Sequence, residues 1–249
     1  MGRFFRGNGF SVILIVILAI NMIRGSELFS NPLGWLQSIL LILPGIVLGI
    51  TVHEWAHAFV AYKLGDNTPK LQGRVSLNPI RHIDPIGLIA LLFIGFGWGK
   101  PVMVNPYAFK HSRRDNLLTD VAGITLNFIM AFAIMGIFRG YVGYVVGTNP
   151  ASAFDISAFQ SIYMIFYYAV WMNLVLMIFN LLPVPPLDGF GIITEAFNLR
   201  GKPAYDAIYN AGFPILIALI LFNVPSRIIQ PIISALFDFI YGCFAPWPL

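Results

Sequence analysis

Gly49-Ile50-Thr51-Val52-His53-Glu54-Trp55-Ala56-His57-Ala58-Phe59-Val60 lies in the second half of a long apolar run and contains H-E-x-x-H. On a helix, His53 and His57 stand at i and i+4, so both imidazoles leave one face about 6 Å apart along the axis. That spacing lets two ring nitrogens reach one tetrahedral Zn²⁺. Glu54 points to the neighbouring face, where its carboxylate can take a proton from a water held by the metal. The surroundings are the unusual feature. Val52, Trp55, Ala56, Ala58 and Phe59 suit a membrane helix, and ionisable groups at membrane depth are costly unless they serve a function.

The composition agrees with a membrane setting. Of 249 residues, 58% are hydrophobic and 10% are charged, and the mean hydropathy is +0.79. A soluble domain of this length is close to a quarter charged. The reading is therefore a polytopic membrane protein, with residues 1–249 forming a single membrane-embedded domain. The net charge of +4 is modest and reads as a topology signal, not as a nucleic-acid footprint. One cysteine, Cys243, excludes an internal disulfide and a Cys-based zinc site.

Outward from the opening stretch, the chain divides into about six apolar helices: 9–24, 33–62, 117–138, 158–182, 205–222 and 228–244. Arg3 and Arg6 precede the first of these, but no small-x-small cleavage pattern follows it, so it reads as an uncleaved span. Pro44 and Gly45 should kink the second. Residues 63–117 break the pattern. They contain one short, glycine-rich apolar run, Ile86 to Trp98, too short for a span. It reads as a membrane-associated re-entrant hairpin flanked by short strands near Gly73–Leu77 and Lys100–Val104. Open strands are not tolerated in lipid unless protein covers them, so this segment should pack on the helices. The fold expected is thus all-α, with a short β or re-entrant insertion between the second and third helices.

Charge bias orients this arrangement. With the N-terminus cytoplasmic, every Lys and Arg except Arg24, Arg139 and Arg227 falls on the cytoplasmic side. Both termini are then cytoplasmic. H-E-x-x-H lies in the cytoplasmic half of its helix, and Asp188, at the end of the fourth helix, lands at similar depth.

Two histidines do not complete a catalytic zinc site, which takes three protein ligands and one open position. Asp188 is the candidate third ligand: a carboxylate directly after a span, in Asn180-Leu-Leu-Pro-Val-Pro-Pro-Leu-Asp188-Gly189. The prolines prevent a regular helix there, and Gly189 permits close approach of a neighbour. Glu54 then serves as general base toward water and afterwards as acid toward the leaving amine. Asn127 is the candidate donor to the oxyanion of an attacked peptide carbonyl. It shares a helix face with Gly123, and its other reading is hydrogen-bond glue between helices. Asn180 reads as a partner for substrate backbone or as a clamp on residues 183–188. His82 and His111, among basic loop residues, read as loop-ordering groups, with Asp84 fixing the loop through His82 or Arg81.

These residues resemble the site-2 proteases, intramembrane zinc metalloproteases. His-Glu-Trp-Ala-His-Ala at 53–58, Gly123-x-x-x-Asn127 and Asn180-x-x-Pro183-x-Pro185-x-x-Asp188-Gly189 are similar to their three motifs in order. His82-Ile-Asp84-Pro85 and Gly99-Lys-Pro101-Val also resemble the family. The likeness spans roughly 45–190, leaving the first, fifth and sixth helices peripheral, in a compact form without a PDZ or CBS domain. Phe190 stands where members often carry a second glycine. The resemblance implies His53, His57 and Asp188 as ligands of one Zn²⁺ per chain. It also implies hydrolysis of a transmembrane protein substrate within or near the bilayer, as in regulated intramembrane proteolysis. The oligomeric state is not given by the sequence.

Two other classes are open to the same residues. A transporter or ion-binding protein would spread polar groups over several helices; the first, fifth and sixth helices lack them, apart from Asp206 and Asp238 near helix ends. A membrane zinc protease acting on soluble or lipidated substrates would draw its third ligand from a later glutamate, for which Glu195 is the candidate. For the protease within the bilayer, residues 71–110 are expected to offer an edge that holds an extended substrate, and the peripheral helices a lateral gate.

Overall fold

The computed structural model describes residues 29–94, 97–148, 156–222 and 224–244. The helix expected over 9–24 lies outside the described residues. The helices are α1 (Pro32–Lys63), α2 (Thr68–Leu71), α3 (Pro85–Ile94), α4 (Ser112–Thr148), α5 (Ile156–Asn180), α6 (Asp188–Ala196), α7 (Pro203–Leu221) and α8 (Val224–Cys243). Segments of four of them, Pro32–Lys63, Ser112–Val145, Ala158–Asn180 and Pro203–Ile220, are long and apolar enough to cross a membrane. Helix α8 covers most of 228–244, where a further span was expected, but it is not among those four.

Helix α1 starts where its sequence provides a cap. The Asn31 side chain accepts the Gly34 N–H at 3.0 Å, and Pro32 occupies the first turn, where its missing N–H costs nothing. The helix then continues through Pro44 as one element of 32 residues. At 1.5 Å per residue it is about 48 Å long, well beyond the roughly 30 Å hydrocarbon core of a bilayer.

Helices α1, α4 and α5 pack against one another and form the centre of the molecule. The contact of α1 with α5 depends on small residues one turn apart. A Cβ at Gly45 would stand 2.8 Å from the Ala169 Cα, and one at Gly49 would stand 2.6 Å from Leu176 Cδ1. Lipid tails are as apolar as leucine, so close backbone packing and hydrogen bonds hold such helices together. Against α4 and α5 lies α8. Ile134, Met135, Phe138, Val170, Leu174, Ile233 and Ile240 are buried in the shared core. Arg139 of α4 donates to the Tyr241 hydroxyl of α8 at 2.7 Å and stacks on that ring, its Cζ 4.5 Å from the ring centre.

The strands expected near Gly73–Leu77 and Lys100–Val104 do not form: the described residues contain no strand. Among the described residues, one antiparallel bridge joins Ile83 to Gly99, beside a Lys100 N–H to His82 carbonyl bond of 2.7 Å. The reason is local. Gly73 turns the chain at φ +67°, and Pro79, Pro85, Pro101 and Pro106 supply no ladder donors. The Arg74 guanidinium satisfies the carbonyls of Arg81 and Lys100 in place of a strand. The apolar run after Asp84 becomes α3, ten residues and about 15 Å long. Its start is capped by Asp84, whose Oδ1 accepts the Ile86 and Gly87 N–H groups. Trp98 returns against Gly87, where an added Cβ would meet the Trp98 carbonyl at 2.1 Å. The chain therefore comes back to the end from which α3 departs.

Candidate metal centre

His53 and His57 leave one face of α1, and α6 brings Asp188 to them. Helix α5 ends at Asn180, and residues 181–187 form consecutive turns before Asp188 opens α6. Asp188 Oδ2 lies 3.2 Å from His53 Nε2 and 3.3 Å from His57 Nε2. The two Nε2 atoms are 3.1 Å apart. The ligand atoms of the three residues form one group within 4.8 Å, with both histidines buried and the aspartate partly so.

Hydrogen bonds behind the imidazoles decide what the front can hold. His57 Nδ1 is 2.7 Å from the Thr119 carbonyl, which can only accept, so Nδ1 carries the proton. His53 Nδ1 is 2.7 Å from Asn127 Oδ1. The Asn127 amide donates to the Gly49 carbonyl at 3.1 Å and to Asn173 Oδ1 at 2.9 Å, so its oxygen is the acceptor for His53. Both neutral imidazoles therefore present Nε2 lone pairs to each other and to a carboxylate oxygen. That oxygen, Asp188 Oδ2, is buried and has no hydrogen-bond partner. Three converging acceptors repel one another unless a positive centre joins them. A proton can bridge only two of them at a time, whereas a divalent cation serves all three. Two imidazoles whose outer nitrogens are fixed, together with a carboxylate, fit a zinc ion. A ligand carboxylate must be ionised, and a cation at this point would favour that form.

Gly123 makes this approach possible. A Cβ there would stand 2.5 Å from His57 Nε2 and 2.7 Å from His53 Cε1, so only a glycine lets α4 lie against the imidazoles. Asn127, one turn on, is fully buried. Both hydrogens of its amide are already donated, so in this arrangement it orients His53 and has none to offer an oxyanion. Asn180 folds back on its own helix and donates to the Leu176 carbonyl at 2.9 Å. Gly189 allows α6 to lie against the Leu181 carbonyl, which an added Cβ would meet at 2.3 Å. Glu195 is not with the histidines. It pairs with Arg200, while its backbone carbonyl accepts from Arg113.

Glu54 lies beside the three ligands and is held from the opposite side. Its Oε2 accepts the Val102 N–H at 3.0 Å and is 3.7 Å from Arg74 Nη2. His82 is fully buried and donates to the Ser76 carbonyl, which fixes the 76–82 loop. Asp84 acts on backbone N–H groups of α3 rather than on His82 or Arg81. Sequence reasoning singled out neither Arg74, Thr119 nor Asn173. Arg74 looked like one loop cation among eight. Thr119 acts through its carbonyl, which every residue has. Asn173, a polar residue inside an apolar helix, carried the one signal that could have been read.

Comparison with known proteins finds zinc metalloproteases. Residues 41–223 match the family description "Peptidase family M50". The "Putative zinc metalloprotease YwhC" of Bacillus subtilis is 39% identical over 204 residues, covering 80% of this chain and 89% of that protein. The "Putative zinc metalloprotease Rip2" of Mycolicibacterium smegmatis is 25% identical over 241 residues, covering 92% of this chain and 87% of that protein. No solved structure matches the chain.

Proposed function

The chain belongs to peptidase family M50, and from that premise we propose that it cuts a peptide bond of a transmembrane protein within or near the bilayer. It is a zinc metallopeptidase of the site-2 protease family and an integral membrane protein. The observation that carries the reading is the convergence of His53, His57 and Asp188 on one point beside Glu54, at the crossing of apolar helices.

His53, His57 and Asp188 would hold a zinc ion, which would act as a Lewis acid and lower the pKa of a water to about 7. The other steps belong to the chain's own side chains. Glu54 takes the proton of the attacking water and delivers it to the leaving amine. Asn127 and the Thr119 carbonyl hold the two imidazoles in the tautomer that presents Nε2. Asn180 keeps the end of α5 closed before the proline-rich turns. Residues 97–105, irregular in structure, reach Glu54 through the Val102 N–H, and an unwound substrate segment would lie against them. A substrate helix must unwind first, because its carbonyls are already hydrogen-bonded.

The apolar α3, with Ile86 and Ile89 largely exposed, suits a hairpin that enters the membrane and returns. Residues 1–249 read as one protease unit in the cell membrane. The bias of the basic residues supports a reading with both termini and the candidate ligands toward the cytoplasm.

Glu54→Gln and Asp188→Asn separate base from ligand. Expected in liposomes with a transmembrane substrate, such as one captured by Glu54→Gln, is loss of cleavage in both. Zinc should stay in Glu54→Gln and be lost or sharply reduced in Asp188→Asn. Full cleavage by either variant removes the role assigned to that residue.

A further inference from the structure

Arg74 is 4% exposed, and both of its Nη atoms find acceptors while its buried Nε has none. One Nη donates to the Arg81 carbonyl and the other to the Lys100 carbonyl. The second Nη also faces Glu54 Oε2 at 3.7 Å. Two residues beyond Lys100, the Val102 N–H donates to the same carboxylate oxygen. One guanidinium thus joins both sides of the 81–100 hairpin to the side chain that works beside the metal. The close passage of the hairpin requires Gly99, where a Cβ would stand 2.9 Å from Ile50 Cγ2 and 3.5 Å from Glu54 Oε1. The two oxygens of Glu54 are therefore not equivalent. Oε2 is fixed by a backbone N–H and a cation, while Oε1 accepts no hydrogen bond from any described residue.

We propose that Arg74 is a positioning residue for hydrolysis: with the Val102 N–H it anchors Glu54 Oε2 and leaves Oε1 to exchange the proton with water. The inference rests on the reading of Glu54 as the general base. A guanidinium fits the task because its planar fork serves two carbonyls and a carboxylate at once; a lysine ammonium is a point charge on a flexible stem. Burying this charge away from water would be costly without those partners. A base held by one oxygen keeps the other in a fixed place, which is what positioned proton transfer requires. A loop clamp alone would not need to face Glu54.

The test uses the full chain in detergent with dye-labelled casein as an unstructured protein substrate. Wild type, Glu54→Gln, Arg74→Gln and Arg74→Lys are compared for zinc content, kcat and KM. Expected for Arg74→Gln is one zinc per chain, KM within about twofold and kcat lower by at least about tenfold, part of the 10²–10⁴ that a positioned base supplies. Arg74→Lys should recover part of that loss, since a cation still faces Glu54. Wild-type kcat in Arg74→Gln overturns the role, as does a loss of activity that follows a loss of zinc. A lysine variant no better than the glutamine one also overturns it, by reducing Arg74 to a loop clamp. If Arg74→Gln does not fold, Val102→Pro removes the other anchor of Oε2. The same kcat loss is expected there, and full activity overturns the role. Equal fragment release by wild type and Glu54→Gln would instead sink the protease reading itself. An active wild type, a silent Glu54→Gln and an active Arg74→Gln would sink only the role of Arg74.

Discussion

At the scale of single residues, the metal centre is defined as much by what stands behind the ligands as by the ligands. His53 and His57 are fixed by acceptors on α4, one a side chain and one a backbone carbonyl. Asn127→Leu removes the acceptor of His53 and leaves a buried donor without a partner. We expect zinc affinity to fall about 10- to 100-fold, the usual range for such supporting groups, read by competition with a chromophoric chelator. Gly123→Ala should weaken zinc by at least about tenfold for a different reason, because its methyl would enter the space of the imidazole rings. Unchanged zinc affinity in Gly123→Ala would mean that α4 can move away without cost, contrary to the packing seen.

At the scale of elements, the α1–α5 contact is tighter than any apolar stripe would require. Gly45 faces the backbone of Tyr168 and Ala169, so a side chain there has no flexible neighbour to displace. Gly45→Val should lower the thermal midpoint clearly, consistent with about 1–3 kcal/mol for overpacking. Gly140→Ala, on the open side of α4 with nothing within 4 Å, should leave the midpoint unchanged or raise it. A differential scan of the two variants in detergent decides the matter, and equal midpoints would remove the close-packing account. This is also the scale at which the sequence misled. Residues 73–77 and 100–104 looked like strands because they are short and lie between turn residues. Backbone groups there are in fact met by side chains: the Gly73 carbonyl by Arg81, the Ser76 carbonyl by His82, the Lys100 carbonyl by Arg74 and the Val102 N–H by Glu54. A side chain that replaces a ladder leaves no period-2 signal.

At the scale of the whole molecule, orientation is the property that charge bias predicts and folding geometry alone does not. Cys243 gives a native probe: it is exposed at the end of α8 and is the only cysteine. With both termini cytoplasmic, a membrane-impermeant thiol reagent should label it in inverted vesicles and leave it untouched in intact cells. Labelling from outside intact cells would reverse the orientation and place the zinc ligands toward the other face.

The membrane class, most helix positions, the candidate ligands His53, His57 and Asp188 and the candidate base Glu54 were legible in the sequence. Each is local: an apolar run, an i, i+4 pair, or a carboxylate placed after a proline-broken helix end. Which groups orient them was decided only by tertiary structure. The Thr119 carbonyl, the exhausted amide of Asn127 and the reach of Arg74 to Glu54 all join segments distant along the chain. A backbone carbonyl has no residue type to read, and a loop arginine looks the same whether it faces water or a buried carboxylate. Those choices arise when helices pack closely enough that every buried polar group must find a partner.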